Sequence, residues 1–360
     1  MIILYILSII GIAAIVVATT DAYVMLSEWV QRIHIGRWND RKEWQQAIDN
    51  KATKWIKRSP TVKIKDENRF ILIDILKGDY RSNTIQSWQD AALLMALDEK
   101  YSAQYIKQHP RLFEENNIEP DQALLAYALK KNNQLSQEKE EKMRKLFTSH
   151  AENNTTIPYR KEIPEIRFVD TIGLVCPFLS VCGYSHIATE QIKEYDKFLL
   201  NGIYPPHAFN KENNQPMGVY DWSRGIGWYI LGITECAHLD GNKERILRLA
   251  EAMLPLQQKS GGFGCMVFNP IQRMETSGTA LIGILFLKAY ELTNNSNYLN
   301  AARKAEKVLM TATRRNGAID YAQGDTKGIG FYSNTFSIMP FAQGMALYFS
   351  KMMNKYEANS

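Results

Sequence analysis

From about Glu43 onward the chain repeats a single plan, and that plan leaves few folds open. A polar loop leads into a near-continuous apolar helix, and a short turn then leads into an amphipathic helix rich in Lys and Glu. The pairs are plainest as DTIGLVCPFLSVCG with ATEQIKEYDKFLL, WSRGIGWYILGITECAHL with NKERILRLAEAMLPLQQ, and ETSGTALIGILFLKAYELT with NSNYLNAARKAEKVLMTA. A helix that is apolar all round has to be surrounded by protein, so the first member of each pair is an inner helix and the second an outer one. The polar residues that open the inner helices or their lead-ins, Asp121, Asp170, Asp221, Glu275 and Asn334, recur about every fifty residues, the mark of a helical-hairpin repeat. Alternating strand patterns are almost absent. The expected class is all-α.

Hairpin repeats either stack into an open solenoid or close into a ring of inner helices surrounded by outer ones. The loops help to decide. Those entering inner helices are long and rich in Gly, Pro and aromatics, such as NGIYPPHAFNKENNQPMGVYD and RRNGAIDYAQGDTKGIGFYSN, whereas the inner-to-outer turns are short and polar. Long loops gathered at one end of a barrel make a site, and the candidate functional residues cluster at helix starts and not along a concave face. This favours a closed barrel of about six hairpins, the first two undelimited between Glu43 and His109.

The N-terminus is of another kind. MIILYILSIIGIAAIVVATT carries no charged side chain through Thr20 and is about as long as a bilayer core is thick. A membrane anchor is the first reading and a cleaved secretion signal its rival; the rival lacks a Lys or Arg before the apolar run and a small-x-small site after it. The expected division is a transmembrane anchor over 1–27, a juxtamembrane linker over 28–42 and the barrel over 43–356. Arg32, Arg37, Arg41 and Arg58 follow the span, which favours a cytoplasm-facing domain, with a periplasmic or extracellular one as the alternative. Trp29 and Trp38 are expected at headgroup depth or packed on the domain.

With 360 residues, 45% hydrophobic and 22% charged, the chain can bury a large core. Its formal charge of +5 is spread over interleaved Lys and Glu, so no nucleic-acid partner is expected. The four cysteines, Cys176, Cys182, Cys236 and Cys265, show no CxxC spacing and lie in apolar or Gly-rich contexts, so neither zinc nor a disulfide framework is indicated.

The stretch VYDWSRGIGWYILG sets Arg224 between Trp222 and Trp228, with Gly225 and Gly227 leaving the helix face uncrowded. On a helix running from Trp222, Asp221, Arg224 and Trp228 share one face. A guanidinium that meets a carboxylate bidentately and an indole that covers a sugar ring suit an anionic, ring-shaped ligand; an Arg–Asp pair capping a buried helix is the plainer alternative. Asp170 opens an apolar helix whose surroundings should raise its pKa, as a proton donor requires, although Asp also serves well as an N-cap. His207 lies in the loop GIYPPHAFN, and Glu275 opens METSGTA, where it could instead favour the helix dipole.

As an ordered set, VDTIGLVCPFL, GIYPPHAFN, YDWSRGIGWY and METSGTALIGIL resemble the unsaturated glucuronyl and rhamnogalacturonyl hydrolases of glycoside hydrolase families 88 and 105, over roughly Asp121 to the C-terminus. The resemblance implies an (α/α)6 barrel without metal or organic cofactor, acting on the 4,5-unsaturated uronic acid that polysaccharide lyases leave at the non-reducing end of oligosaccharides. It implies Asp170 as the catalytic acid and base, Asp121 as the second aspartate that holds sugar hydroxyls, and substrate contacts from His207, Asp221, Trp222, Arg224, Trp228, Glu275 and Ser277. Arg224 would lie near the uronate carboxylate or its polar substituents, and Trp228 would stack on the ring. Where the family commonly reads Trp-Gly-Arg-Gly-Asn-Gly-Trp, this chain has Ser223 and Ile226, which removes one amide that could bond a sugar.

Two other readings compete. Asp170 with Asp221 or Glu275 could form an acid/base pair for conventional inverting hydrolysis of an uncut glycan. Alternatively, a membrane-tethered helical-repeat protein could bind glycan or protein without chemistry, which predicts an exposed, charge-paired Asp170 and no pocket.

Overall fold

A computed structural model describes residues 1–60, 69–78, 87–114, 119–152 and 156–357. Its helices run in chain order as α1 (Ile2–Arg32), α2 (Arg41–Lys57), α3 (Ile71–Lys77), α4 (Ser87–Ala96), α5 (Glu99–Gln108), α6 (Pro120–Lys131) and α7 (Gln137–Glu152). They continue as α8 (Asp170–Val181), α9 (Ser185–Asp196), α10 (Ser223–Glu235), α11 (Asn242–Met253), α12 (Thr276–Thr293), α13 (Ser296–Thr311) and α14 (Pro340–Glu357). The inner ring is α4, α6, α8, α10, α12 and α14, each packed on the next, with α14 returning onto α4. The fold is an (α/α)6 barrel. Burial follows the pattern of the sequence: α10 is buried continuously from Ser223 to Thr234, whereas outer helix α13 buries only a stripe through Tyr298, Ala302, Ala305 and Leu309.

The chain enters the barrel on an outer helix and leaves it on an inner one. The last pair is therefore made by α2 from one end of the chain against α14 from the other. Arg41 donates to both carboxylate oxygens of Glu306 at 2.8 Å and to the Ser350 carbonyl, Trp44 Nε1 donates to Thr313 Oγ1 at 2.8 Å, and Gln343 Nε2 donates to the Ile48 carbonyl at 2.9 Å. The stretch from Glu43 to His109, in which two hairpins were expected, holds α2, the short α3 and the pair α4–α5; part of it lies outside the described residues.

Every inner helix starts at the same end of the barrel, and the long loops gather there. They carry the short strands of the molecule's described part. Strands β1 (Ile166–Phe168), β2 (Ala208–Asn210) and β3 (Gln215–Met217) form an antiparallel sheet with Phe168 opposite Ala208 and Ala208 opposite Met217; β4 (Ala322–Gln323) pairs with β5 (Phe336–Ser337).

Helix α1 is long and apolar enough to cross a membrane, and none of its residues is buried. It runs without a break through residue 27 to Arg32, and its last turns are docked on the barrel. Asp21 accepts the backbone N–H groups of Phe70 and Ile71 at 2.9 Å, Gln31 accepts from Arg314 at 2.6 Å, and Arg32 donates to both oxygens of buried Asp320 at 2.8 Å. The stretch 28–42, expected as a linker, is thus the end of α1 followed by a tight connection in which Gly36 donates to the Thr313 carbonyl and Trp38 packs against the core. Trp29 stays exposed.

Deleting residues 1–27 is expected to leave a folded, soluble, helical domain, because Arg32 and its pair with Asp320 remain. Deleting through Arg32 should lower the melting temperature by a few degrees, since Asp320 keeps only Arg314. Circular dichroism melts of the two truncations check this; loss of the helical signal already at the shorter deletion would refute it.

Candidate active site

One cleft opens at the loop end of the ring. The starts of four inner helices line it, through Trp88 of α4, Asp121 of α6, Asp170 of α8, and Arg224 and Trp228 of α10. The entering loops add Tyr159, Phe168, His207, Trp222 and the segment 325–329. Of the residues expected at the site, Asp121, Asp170, His207, Trp222, Arg224 and Trp228 meet in this cleft, although the sequence separates them widely. Asp221, Glu275 and Ser277 do not line it.

Asp170 is the first residue of α8, but Val169 occupies the N-cap position and the Asp170 side chain makes no capping bond. The Val169 N–H is fixed to the His207 carbonyl at 2.9 Å, which couples the start of α8 to the rim of the small sheet. The carboxyl is therefore free to face the cleft, where its Oδ2 atom is buried without a hydrogen-bond partner. Burial raises its pKa to about 6, opposed by its own backbone N–H and the charge of Arg224. Asp121 sits in the first turn of α6, behind Pro120 and a capping box made by Glu119 and Gln122, so it too is released from capping. Its Oδ1 accepts the Tyr159 hydroxyl at 2.8 Å, and burial carries its pKa to about 7 against that bond. His207 moves the other way: burial, with the nearby Arg224 charge, lowers it to about 4, so its ring is neutral at pH 7. The ring bonds the Tyr332 hydroxyl at 3.2 Å and lies 4.7 Å from the Trp222 ring.

Helix α10 begins at Ser223 with Trp222 as its N-cap, so Asp221 falls outside it. In place of sharing a helix face with Arg224, Asp221 lies in the lead-in, where its backbone carbonyl accepts the Val267 N–H at 2.8 Å. The buried Arg224 guanidinium turns its two terminal nitrogens to backbone carbonyls, Nη1 to Gln323 at 2.5 Å and Nη2 to Gly324 at 2.6 Å. Its fork is engaged by the loop and not by the Asp partner of the plainer alternative. Gly225 and Gly227 serve packing: a Cβ on Gly225 would lie 2.6 Å from the Trp222 ring, and one on Gly227 2.5 Å from Leu281. Trp228 stands in the cleft floor, 5.5 Å edge-on from Trp88 and 4.6 Å from Phe341. It can come so close to α8 because a Cβ on Gly173 would meet its backbone oxygen at 2.6 Å.

The sequence model of Glycosyl Hydrolase Family 88 matches residues 86–357, the whole ring from α4 to the end of α14. The chain belongs to that family. It is a glycoside hydrolase. No curated protein matches it by sequence. Among solved structures it is similar to a possible member of the GH105 family from Klebsiella pneumoniae, at 18% identity and a TM-score of 0.66 over 89% of this chain and 95% of that one. An unsaturated glucuronyl hydrolase from Bacillus sp. GL1, described as responsible for the degradation of glycosaminoglycan, aligns at 17% identity and 0.63 over 88% and 97%. An unsaturated glucuronyl hydrolase specific for heparin aligns at 11% identity and 0.68 over 88% and 98%.

Within this family 88 barrel, Glu275 has a structural occupation. It is the N-cap of α12 and is fully buried, its carboxylate accepting the N–H groups of Ser277 and Gly278, the hydroxyls of Ser277 and Ser223, and the N–H of Gln323. The helix-dipole role holds for Glu275, and Ser277 is absorbed into the same cap. Sequence reasoning missed Gln323, whose N–H goes to Glu275, carbonyl to Arg224, Oε1 to the Trp222 indole at 3.0 Å and Nε2 to the Ser333 carbonyl at 2.8 Å. That residue anchors the segment 325–329 over the cleft. Trp88, Tyr159 and Asp325 were missed as well. Their only sequence signals were an aromatic at the start of an apolar run, an aromatic in the lead-in to α8, and an acid in a long Gly-rich loop.

Proposed function

We propose that this family 88 enzyme removes a 4,5-unsaturated uronic acid from the non-reducing end of lyase-generated oligosaccharides by hydrating its double bond. The observation that carries the reading is the Asp170 carboxyl, aimed into the cleft with a buried, unpartnered Oδ2 and a pKa near 6. Such a group donates a proton readily and, once ionised, takes one back. In the proposed reaction the Asp170 proton goes to C4, positive charge develops at C5 and the ring oxygen, and water adds at C5 while losing a proton to the Asp170 carboxylate. The hemiketal product opens by itself. Asp121 and neutral His207 would hold the substituents of the sugar, and the aromatic floor at Trp228 would carry its ring.

The geometry weighs against the competing readings. Conventional inversion needs a second carboxylate across the glycosidic oxygen, and both nominated partners are unsuitable: Glu275 is spent on capping α12, and Asp221 lies off the cleft. A non-catalytic binder predicted an exposed, charge-paired Asp170; its Oδ2 is buried and unpaired.

The test is turnover of lyase-generated disaccharides, followed by loss of the double-bond absorbance, in deuterated water. The product is expected to carry solvent deuterium at C4, and product without it would exclude hydration. The pH profile follows from the same carboxyl. The donor form of Asp170 is the protonated one, abundant below its folded pKa of about 6 and lost as pH rises through it, so kcat/KM should fall on the alkaline side with an apparent pKa of 6 to 7. A rate that stays flat to pH 9 would contradict the assignment.

A further inference from the structure

Residues 2–20 of α1 would span about 28 Å, close to the thickness of a bilayer core. The rest of α1 is fastened to one end of the barrel only. Its partners are Phe70 and Ile71 at the start of α3, Arg314 and Asp320 in the loop after α13, and Phe336 and Ser337 of β5. All belong to the end where the inner helices begin and the cleft opens. Arg32, beyond the apolar run, pairs with buried Asp320, so the last turns of α1 belong to the folded body and fix where the apolar run leaves it.

That same end bears the apolar side chains the barrel leaves uncovered. On α3 and its cap, Phe70, Ile75 and Leu76 are 57%, 46% and 76% exposed; on the loops flanking the cleft, Ile271 is 89% and Phe331 69% exposed. At the opposite end, among the described residues, only Val181 and Leu292 are comparable, at 41% and 38%. Exposed cations neighbour the apolar tips in the chain, Arg69 directly before Phe70 and Arg273 two residues after Ile271, and Lys57 and Arg58 are exposed at the end of α2. Apolar side chains set among basic ones match a lipid interface with anionic headgroups, and α1 brings that interface to this end.

We infer that the cleft-bearing end of the barrel lies against the bilayer that holds α1, with α3 and the loop tips at Ile271 and Phe331 entering the headgroup region. Substrate then reaches Asp170 from the space along the membrane surface, and glycans attached at that surface are within reach of an enzyme that cannot diffuse away from it.

The test places single cysteines at Leu76, Ile271 and Phe331, and at Leu292 on the opposite end, in the full chain with the half-exposed Cys182 replaced by serine. Each is labelled with an environment-sensitive fluorophore, and the protein is reconstituted into phosphatidylethanolamine and phosphatidylglycerol vesicles containing a headgroup-nitroxide lipid. The expected result is that the nitroxide lowers the emission of the labels at 76, 271 and 331 about two-fold or more and leaves the label at 292 unchanged. Quenching at 292 comparable with the other three would overturn the inference. So would absence of quenching at all four, or failure of the full chain to float with the vesicles.

Discussion

Asp170→Asn should lower kcat by roughly two to four powers of ten while KM changes far less, because the amide can neither give nor reclaim the proton. The same substitution should stabilise the fold at neutral and alkaline pH. Asp170 has a folded pKa raised above its unfolded value, so its contribution to stability is intact below pH 3.8 and is lost as pH rises through about 6. Asparagine does not ionise and escapes that loss. Because the side chain caps nothing, no N-cap bond is sacrificed in exchange. The gain at pH 8 should be on the order of 3 kcal/mol and should vanish near pH 3.5. Thermal melts of variant and parent at the two pH values check it. A variant that is slow but no more stable at pH 8 would mean that Asp170 is not strained by burial, and near-normal turnover would remove it from the chemistry.

Arg224→Met should cost about 2–4 kcal/mol, since it leaves the buried carbonyl of Gln323 and the partly buried carbonyl of Gly324 without their donors. The loss should reach catalysis through the segment 325–329, which those carbonyls hold over the cleft, so kcat falls along with substrate affinity. Arg224→Lys should recover part of the stability at most, because an ammonium cannot reproduce a planar fork to two successive carbonyls. A pH profile separates this role from a simple contact with substrate. The Arg224 charge lowers the pKa of both Asp170 and His207, so the Met variant should move the alkaline limb of its residual activity upward. An unchanged profile with only KM raised would favour Arg224 as a direct substrate contact.

The barrel was legible because its signal is periodic and repeated. Helices apolar all round, such as TSGTALIGILFL, have no stable place except inside a ring, and the long loops declare which end is open. The cluster of Asp121, Asp170, His207 and Trp228 was readable for the same reason, because Asp121, Asp170 and Trp228 lie in the first turns of inner helices and His207 in the long loop that leads into α10. Arg224 shows where such reading stops. Its partners are backbone carbonyls, which every residue has, so nothing in DWSRGIGW distinguishes a cation that binds a ligand from one that binds a loop. Glu275 carries the complementary lesson: an acid at a helix start is consistent with chemistry and with capping, and only the five donors around it decide. Gln323 has no signature at all, because its importance lies in bonds to Glu275, Arg224, Trp222 and Ser333 that the chain brings together from afar.

The joint between α2 and α14 also governs when the barrel can exist. Its two halves are made at opposite moments of synthesis, and closure of so long a loop comes late in folding. Until α14 has left the ribosome, the apolar flanks of α4 and α12 that it covers stand open, and the nascent chain is a five-sixths ring with two sticky edges. The placement of α1 in a bilayer inferred above would hold α2 near a fixed point through this interval, so that the end to be found stays in place while the end that must find it is still being made.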